Sequence, residues 1–342
     1  MTALDTVAAL LACPECGAAL HQRDTALRCA TGHSFDIARQ GYVGLLTGAS
    51  TKMTGDTAAM LDARAAFQGA GHFTPIAVAV AHALSIGSPT RIPRDSADPA
   101  TAPAPRVDAA SEAHAAAAVT ALDDTAASTG TATSPVAAMA DNVDGAHGLS
   151  PADGAVLEIG AGTGFYLAAV LDARPGAVGI ALDVSKPAAR RAARAHPRTA
   201  SILADAWRGL PVRDHALTGV LSIFAPRNPG EIARVLAPGG RFVVVTPTDR
   251  HLGELIGPLG MVRVDPDKDR RLAESLSATF TRIEHTLIEF PMKLTRADVT
   301  NVVAMGPSAF HGTPTDDPRI AALPDTTEVT ASVTVSVYSP NG

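Results

Sequence analysis

Val156-Leu-Glu-Ile-Gly-Ala-Gly-Thr-Gly164 runs a short apolar strand straight into three glycines. Phe165 to Ala173 then has the apolar, Ala-rich character of a buried helix, so the strand ends in a tight loop and a helix opens at about Thr163. Without a Cβ, Gly160, Gly162 and Gly164 can take positive φ and let a ligand lie on the main chain beside the partly positive helix N-terminus. A dinucleotide fingerprint, G-x-G-x-x-G, would need glycine at 165, where the chain has Phe165, so NAD is disfavoured.

The observed G-x-G-x-G is preceded by Glu158 and followed by Asp183 at the end of the next strand, Val178-Gly-Ile-Ala-Leu-Asp183. This pattern resembles the S-adenosylmethionine loop of the class I methyltransferases. The resemblance implies cofactor contacts at Glu158, Gly160, Gly162, Thr163, Gly164 and Asp183, the last holding the ribose hydroxyls. A carboxylate accepting two hydroxyl donors suits that task. Past Gly164 the chain alternates as an α/β fold should: helix 163–173, strand 177–183, helix 186–196, strands 199–204 and 217–224, helix 228–236, strand 240–246. A helix near 250–258, a strand near 281–290, a helix near 295–305 and a strand from Thr327 to Tyr338 would close a Rossmann-like seven-stranded sheet with one antiparallel edge. Ligands in such sheets sit at the carboxyl ends of the strands. That rule adds Asp205, as an adenine partner or simply a surface turn, then Phe224-Ala-Pro-Arg227 and Thr246-Pro-Thr-Asp-Arg-His251.

The 342 residues are 46% hydrophobic and 18% charged, with net charge −6, which is ordinary for a globular protein. No apolar run reaches the ~20 residues of a membrane span, and no basic stretch precedes the short apolar N-terminal segment, so a cytoplasmic protein with no membrane contact is expected. From 85 to 150 the chain is mostly Ala, Thr, Ser, Pro and Asp with few large aliphatics, so a disordered or mobile insertion is expected. It holds eight acids and three bases, which leaves the rest near neutral at −1. RNA would therefore need a local patch, and the candidates are Lys186, Arg190, Arg191, Arg194 and Arg198 on one helix, or Arg23, Arg28 and Arg39.

Three cysteines argue against a disulfide framework. Cys13-Pro-Glu-Cys16, twelve intervening residues, Cys29, three more and His33 give C-x2-C-x12-C-x3-H, four ligands that two tight turns can present to a structural zinc. A redox pair at Cys13 and Cys16, or His21 in place of His33, are the competing readings. Next come Gly32-His-Ser-Phe-Asp-Ile-Ala-Arg-Gln-Gly-Tyr-Val-Gly-Leu-Leu46, Gly55-Asp-Thr-Ala-Ala-Met60, Ala63-Arg-Ala-Ala-Phe67 and Gly71-His-Phe-Thr-Pro75. Asp56 is placed to cap a helix from Thr57, while Met60, Ala63, Phe67 and Ala70 recur at helical spacing.

With the zinc ligands ahead and the glycine loop behind, these segments resemble the RlmA family of 23S rRNA (guanine-N1)-methyltransferases, which includes macrolide-resistance enzymes of antibiotic producers. The resemblance covers roughly residues 10–80 and 153–340. It implies methylation of a guanosine in a 23S rRNA hairpin loop, a zinc ribbon that helps to hold the RNA, a homodimer, and cofactor contacts at Phe73, where the family often has tyrosine, and at His251. The expected organisation is a zinc ribbon over 1–50, a helical connector over 51–84, the insertion over 85–150 and the methyltransferase domain over 151–342. The family's link between its two parts is much shorter than this insertion. Guanine N1 carries a proton, so the reaction needs a base or an environment that favours the anion; Asp56 is the first candidate for the base, ahead of Glu254 and His251. The target base must leave its stack for an apolar wall such as Phe224 or Phe310. The competing functions are a small-molecule methyltransferase of secondary metabolism and a non-catalytic zinc-ribbon RNA binder.

Overall fold

The computed structural model describes residues 2–48, 51, 53–85, 154–306 and 317–341. The 85–150 insertion beyond Ser85, and Phe310, lie outside the described residues. After the short helix α1 (Ala3–Val7), a three-stranded antiparallel ribbon, β1 (Leu20–Arg23), β2 (Ala26–Cys29) and β3 (Ser34–Asp36), leads to β4 (Tyr42–Gly44) and the helices α2 (Ala58–Gly69) and α3 (Thr74–Ser85). The α/β alternation then follows with β5 (Ala155–Ile159), α4 (Phe165–Ala173), β6 (Val178–Asp183), α5 (Lys186–Ala192), β7 (Thr199–Leu203) and β8 (Leu217–Ile223). It continues through α6 (Pro229–Val235), β9 (Leu236–Pro247), α7 (Gly253–Leu259), α8 (Lys268–Leu276), β10 (Phe280–Thr295), α9 (Arg296–Ala304), α10 (Pro318–Ala321) and β11 (Thr326–Pro340).

The main sheet has the order β10-β11-β9-β8-β5-β6-β7-β4, with β11 antiparallel to both of its neighbours and the remaining pairs parallel. Every residue of β5 and β6 is buried, as strands covered by helices on both faces require. Sequence reading expected seven strands, and the eighth is β4, which pairs in parallel with β7 from Tyr42↔Ser201 to Gly44↔Leu203. Three residues of ordinary strand character carry no signal for a partner some 160 positions away. Helix α8 was also missed, because only Leu272 and Leu276 of its nine residues are buried and the rest is polar.

Two apolar layers flank the sheet. On one face Ile76, Val80 and Leu84 of α3 pack with Leu167 and Leu171 of α4 and with Val243 and Val333 of the sheet. Full burial of each such side chain contributes about 1.5–3 kcal/mol. The approach is close: a Cβ on Gly219 would lie 2.8 Å from Leu84 Cδ2. On the other face Leu11, Leu20 and Leu27 of the ribbon share one core with Leu157, Ile180 and Phe242. The ribbon and the connector helices thus each cover one side of the sheet, and the connector carries Asp56, Arg64 and Phe73 to the strand ends where a ligand would bind.

Candidate active site and zinc centre

The loop after β5 turns at Gly160, Gly162 and Gly164, whose φ values are 68°, 54° and 78°. The amides of Gly160 and Ala161 both donate to the Leu182 carbonyl, which fixes the loop to the end of β6. Gly164 is required by packing as well, since a Cβ there would lie 2.7 Å from Ala195 Cβ. Asp183 is tied in by its two oxygens, which accept from Gly162 N at 2.9 Å and from Ser185 N at 2.8 Å. Carboxylate oxygens have further lone pairs, so both can still take hydroxyl donors.

Glu158 is fully enclosed, and its Oε2 accepts from Leu167 N in the first turn of α4. Burial pushes its carboxyl up to about 8, against the opposing effect of that amide and with the Asp183 charge adding to the rise; burial likewise raises Asp183, where the added charge is that of Asp56. A carboxyl raised in this way stabilises the fold fully below its unfolded value near 4.5 and loses that contribution as pH climbs towards 8, a term on the order of 5 kcal/mol. Glu158→Gln keeps an acceptor for Leu167 N without the titration. Urea denaturation of the cofactor-free variant should show a stability advantage over the parent that grows from pH 5 to pH 8, whereas a pH-independent gap would contradict the assignment.

From the connector, Arg64 reaches over the glycine loop. Its Nη1 pairs with Asp56 Oδ2 at 2.6 Å and lies 2.7 Å from where a Gly162 Cβ would sit, while Nη2 donates to the Met305 carbonyl at 3.1 Å. Asp56 therefore does not cap α2: Thr57 does, accepting from Met60 N. One residue further from the helix, the Asp56 side chain is free to turn to Arg64. Gln68, buried on the same helix, accepts from Thr163 Oγ1 at 2.6 Å.

Phe73, Phe224 and His251 form an aromatic cluster with ring centroids 6.0–6.5 Å apart. His251 Nδ1 accepts from Ser332 N at 3.1 Å, so Nε2 carries the proton and can only donate. Burial, reinforced by the nearby Lys268 charge, holds its pKa down at about 4. Nitrogen NMR should find this ring neutral, with the proton on Nε2, at pH 5; an imidazolium there would contradict the geometry. A donor-only, neutral ring is a poor base. Glu254 is no better placed, because its oxygens accept from the Thr330 amide and hydroxyl and it does not line the cavity.

Asp56, Phe73, Glu158, Gly160, Thr163, Asp183, Asp205 and His251 all line one cavity of about 760 Å³; Gly162, under the Arg64 guanidinium, and Gly164, packed on Ala195, are not part of its lining. Asp205 caps the turn that follows β7, accepting from Trp207 N, and also takes a 2.6 Å bond from Thr51 Oγ1. The cavity suits S-adenosylmethionine: it offers main-chain approach at the glycines, an acid at the end of each of two strands, and a buried Tyr166 hydroxyl beside Gln68 that lacks a well-formed hydrogen bond in the protein. Sequence reading missed Gln68, Tyr166, Trp207 and Lys268 as parts of this lining. For Gln68 and Tyr166 the signal was a polar or aromatic side chain within a buried helix stripe; Trp207, in an exposed turn, and Lys268, in a polar helix, gave none.

The basic helix expected to hold RNA is partly committed elsewhere. Arg191 pairs with Asp62, and the Arg198 guanidinium donates to the carbonyls of Leu171, Arg174 and Ala177.

At the ribbon's tip the ligand atoms of Cys13, Cys16, Cys29 and His33 lie within 4.8 Å of one another. Cys16 and Cys29 sulfurs are 3.8 Å apart, and His33 Nδ1 stands 3.6 Å from Cys13 Sγ and 3.4 Å from Cys29 Sγ. A tetrahedral zinc with bonds of about 2.3 Å to sulfur and 2.0–2.1 Å to nitrogen needs edges of about 3.8 and 3.6 Å, so the four fit it. Four protein ligands leave no open position, which makes the zinc structural. His21 lies outside this group.

Residues 11–50 match a family model described as RlmA, N-terminal, and residues 157–244 match one described as Methyltransferase domain. The chain is 43% identical over 337 residues to a Micromonospora griseorubida protein named "Putative 23S rRNA (guanine-N(1)-)-methyltransferase", covering 96% of this chain and 97% of that one. It is 40% identical over 331 residues to the 23S rRNA (guanine(748)-N(1))-methyltransferase of Streptomyces fradiae, covering 96% of each. The chain belongs to the RlmA-type 23S rRNA (guanine-N1)-methyltransferase family. Membership accounts for both features at once: a zinc ribbon packed on one face of the sheet and an S-adenosylmethionine cavity at the strand ends.

Proposed function

We propose that this chain transfers a methyl group from S-adenosylmethionine to N1 of a guanosine in a hairpin loop of 23S rRNA. The observation that carries this reading is the build of the cavity. Connector residues Asp56, Arg64 and Phe73 line the same cavity as the glycine loop, in a chain that matches curated members of this family over 96% of its length.

S-adenosylmethionine, when bound, supplies an electrophilic methyl group. Asp183 accepts the ribose hydroxyls, Asp205 accepts from the adenine amine, and Phe73 packs on the cofactor without the hydroxyl that a tyrosine would bring. The Phe224-Ala-Pro-Arg227 loop has no acceptor to orient an exocyclic amine, which suits a ring nitrogen instead. N1 must lose its proton as the new bond forms, and Asp56 takes it, positioned by Arg64. His251 offers a neutral Nε2–H donor at the same cavity. Phe224, half-exposed with a φ of 53°, gives the flipped base an apolar face; backbone strain of this kind is commonly kept where function needs it. The ribbon helps to hold the hairpin, and the homodimer and cytoplasmic location implied by the resemblance belong to the same reading.

Incubation with protein-free 23S rRNA and labelled cofactor, followed by nucleoside analysis, should yield 1-methylguanosine. Label in another nucleoside, or in none, would overturn the proposal. A resistance role is tested separately, by expressing the chain in a macrolide-sensitive host and reading the inhibitory concentration.

A further inference from the structure

The mouth of the cavity differs from the rest of the surface. Among the described residues eight large hydrophobic side chains are exposed, and four of them, Met53, Trp207, Phe224 and Val262, line this cavity. An apolar rim of that kind marks a contact surface.

The charges beside it are unbalanced. Around α8 most cations have acids: Arg270 pairs with Asp267 and Glu274, Arg271 with Asp265, and Arg282 with Asp269. Lys268 lines the cavity, and Arg227 follows Pro226, which also lines it. Among the described residues neither has a carboxylate within ion-pair distance, and Arg227 donates only to the Ala225 carbonyl, at 3.2 Å. Both side chains are partly buried. Burial lowers the pKa of each, and for Lys268 the neighbouring Arg227 charge lowers it further. Two like charges close together in a partly dehydrated place are unfavourable until an anion joins them.

We propose that Arg227 and Lys268 hold a backbone phosphate of the RNA strand next to the target nucleotide, and that Trp207 stacks on an unpaired base of the same strand. The inference rests on the RNA-methylating function proposed above. Cations tracking the backbone beside exposed rings are the combination that single-stranded nucleic acid takes. An arginine fork suits a phosphate's paired oxygens, and lysine adds a point charge. The glycine loop has its own cation in Arg64, so the cofactor does not require this pair.

The test titrates a 23S rRNA hairpin fragment into the full chain and into Arg227→Gln, Lys268→Gln and Lys268→Arg. Trp207 is the single tryptophan of the chain, so its fluorescence reports directly. Because Trp207 also lines the cofactor cavity, the reading is taken on cofactor-saturated protein, where added RNA should quench the emission further. Between about 50 and 200 mM salt each glutamine variant should flatten the slope of log K against log salt by about 0.7, with Lys268→Arg close to the parent. The KM for RNA should rise about tenfold in the glutamine variants, for a lost interaction worth about one factor of ten, while cofactor affinity and thermal midpoint stay unchanged. Unchanged slopes would overturn the proposal. So would weakened cofactor binding in the variants together with no further quenching by RNA, which would assign the pair and the indole to the cofactor. A parent that neither binds nor methylates the RNA would bring down the functional reading itself, whereas a parent that does both, matched by its variants, would remove only this inference.

Discussion

Cys13→Ser should abolish zinc binding and destabilise the whole described fold, not the ribbon alone. Cys13 is 2% exposed and shares its apolar layer with Leu11, Leu20 and Leu27 of the ribbon and Leu157 and Ile180 of the central sheet. Residues from the same N-terminal segment add β4 to the sheet edge at β7. Because the ligands are brought together only by folding, the free energy of metal binding is folding free energy, about 10–16 kcal/mol in isolated zinc-finger peptides. Even a fraction of that, ~3 kcal/mol, would lower the thermal midpoint of a domain this size by about 6–12 °C. Metal analysis by mass spectrometry and a calorimetric scan check both halves of the expectation. One zinc per chain retained by the serine variant, with an unchanged midpoint, would show that the four-ligand site is wrong.

Asp183→Ala should weaken S-adenosylmethionine binding by at least about a hundredfold. Two hydroxyl donors to one carboxylate are each worth about 1.5–3 kcal/mol, which compounds to two decades or more in Kd. The same side chain also anchors Gly162 N and Ser185 N, so the alanine variant loosens the loop as well as the ribose contact. Asp183→Asn separates the two effects, since it keeps an acceptor and the side-chain volume but gives up the charge. Titration calorimetry should place Asn between the parent and Ala. An alanine variant that binds like the parent would remove the ribose assignment.

What could be read from the sequence was set by local spacing. The C-x2-C-x12-C-x3-H pattern, the three glycines and Asp183 depend on turns a few residues long; the four ligands gather in one cluster, the glycines turn one loop with positive φ, and Gly160 and Asp183 line one cavity. The α/β order was legible for the same reason, because β5 and β6 are apolar runs broken only by the acids Glu158 and Asp183. Features that depend on distant partners were not legible. β4 looks like a short ribbon strand until β7 is beside it, and α8 shows only two large apolar residues, one turn apart. Asp56 looks like a helix cap, yet Thr57 holds that position and Arg64 takes the carboxylate. Arg198 looks like part of a basic stripe but turns inward to three carbonyls. A side chain's direction is a tertiary fact, and neither residue type nor period encodes it.

The most direct test of the central claim is primer extension on protein-free 23S rRNA after incubation with the purified protein, with and without S-adenosylmethionine. A methyl at guanine N1 occupies the Watson–Crick edge, so reverse transcriptase halts one nucleotide short of the modified base. A single cofactor-dependent stop in a hairpin loop is the predicted result. Full-length extension in both lanes, from a protein shown to bind the cofactor, would contradict it.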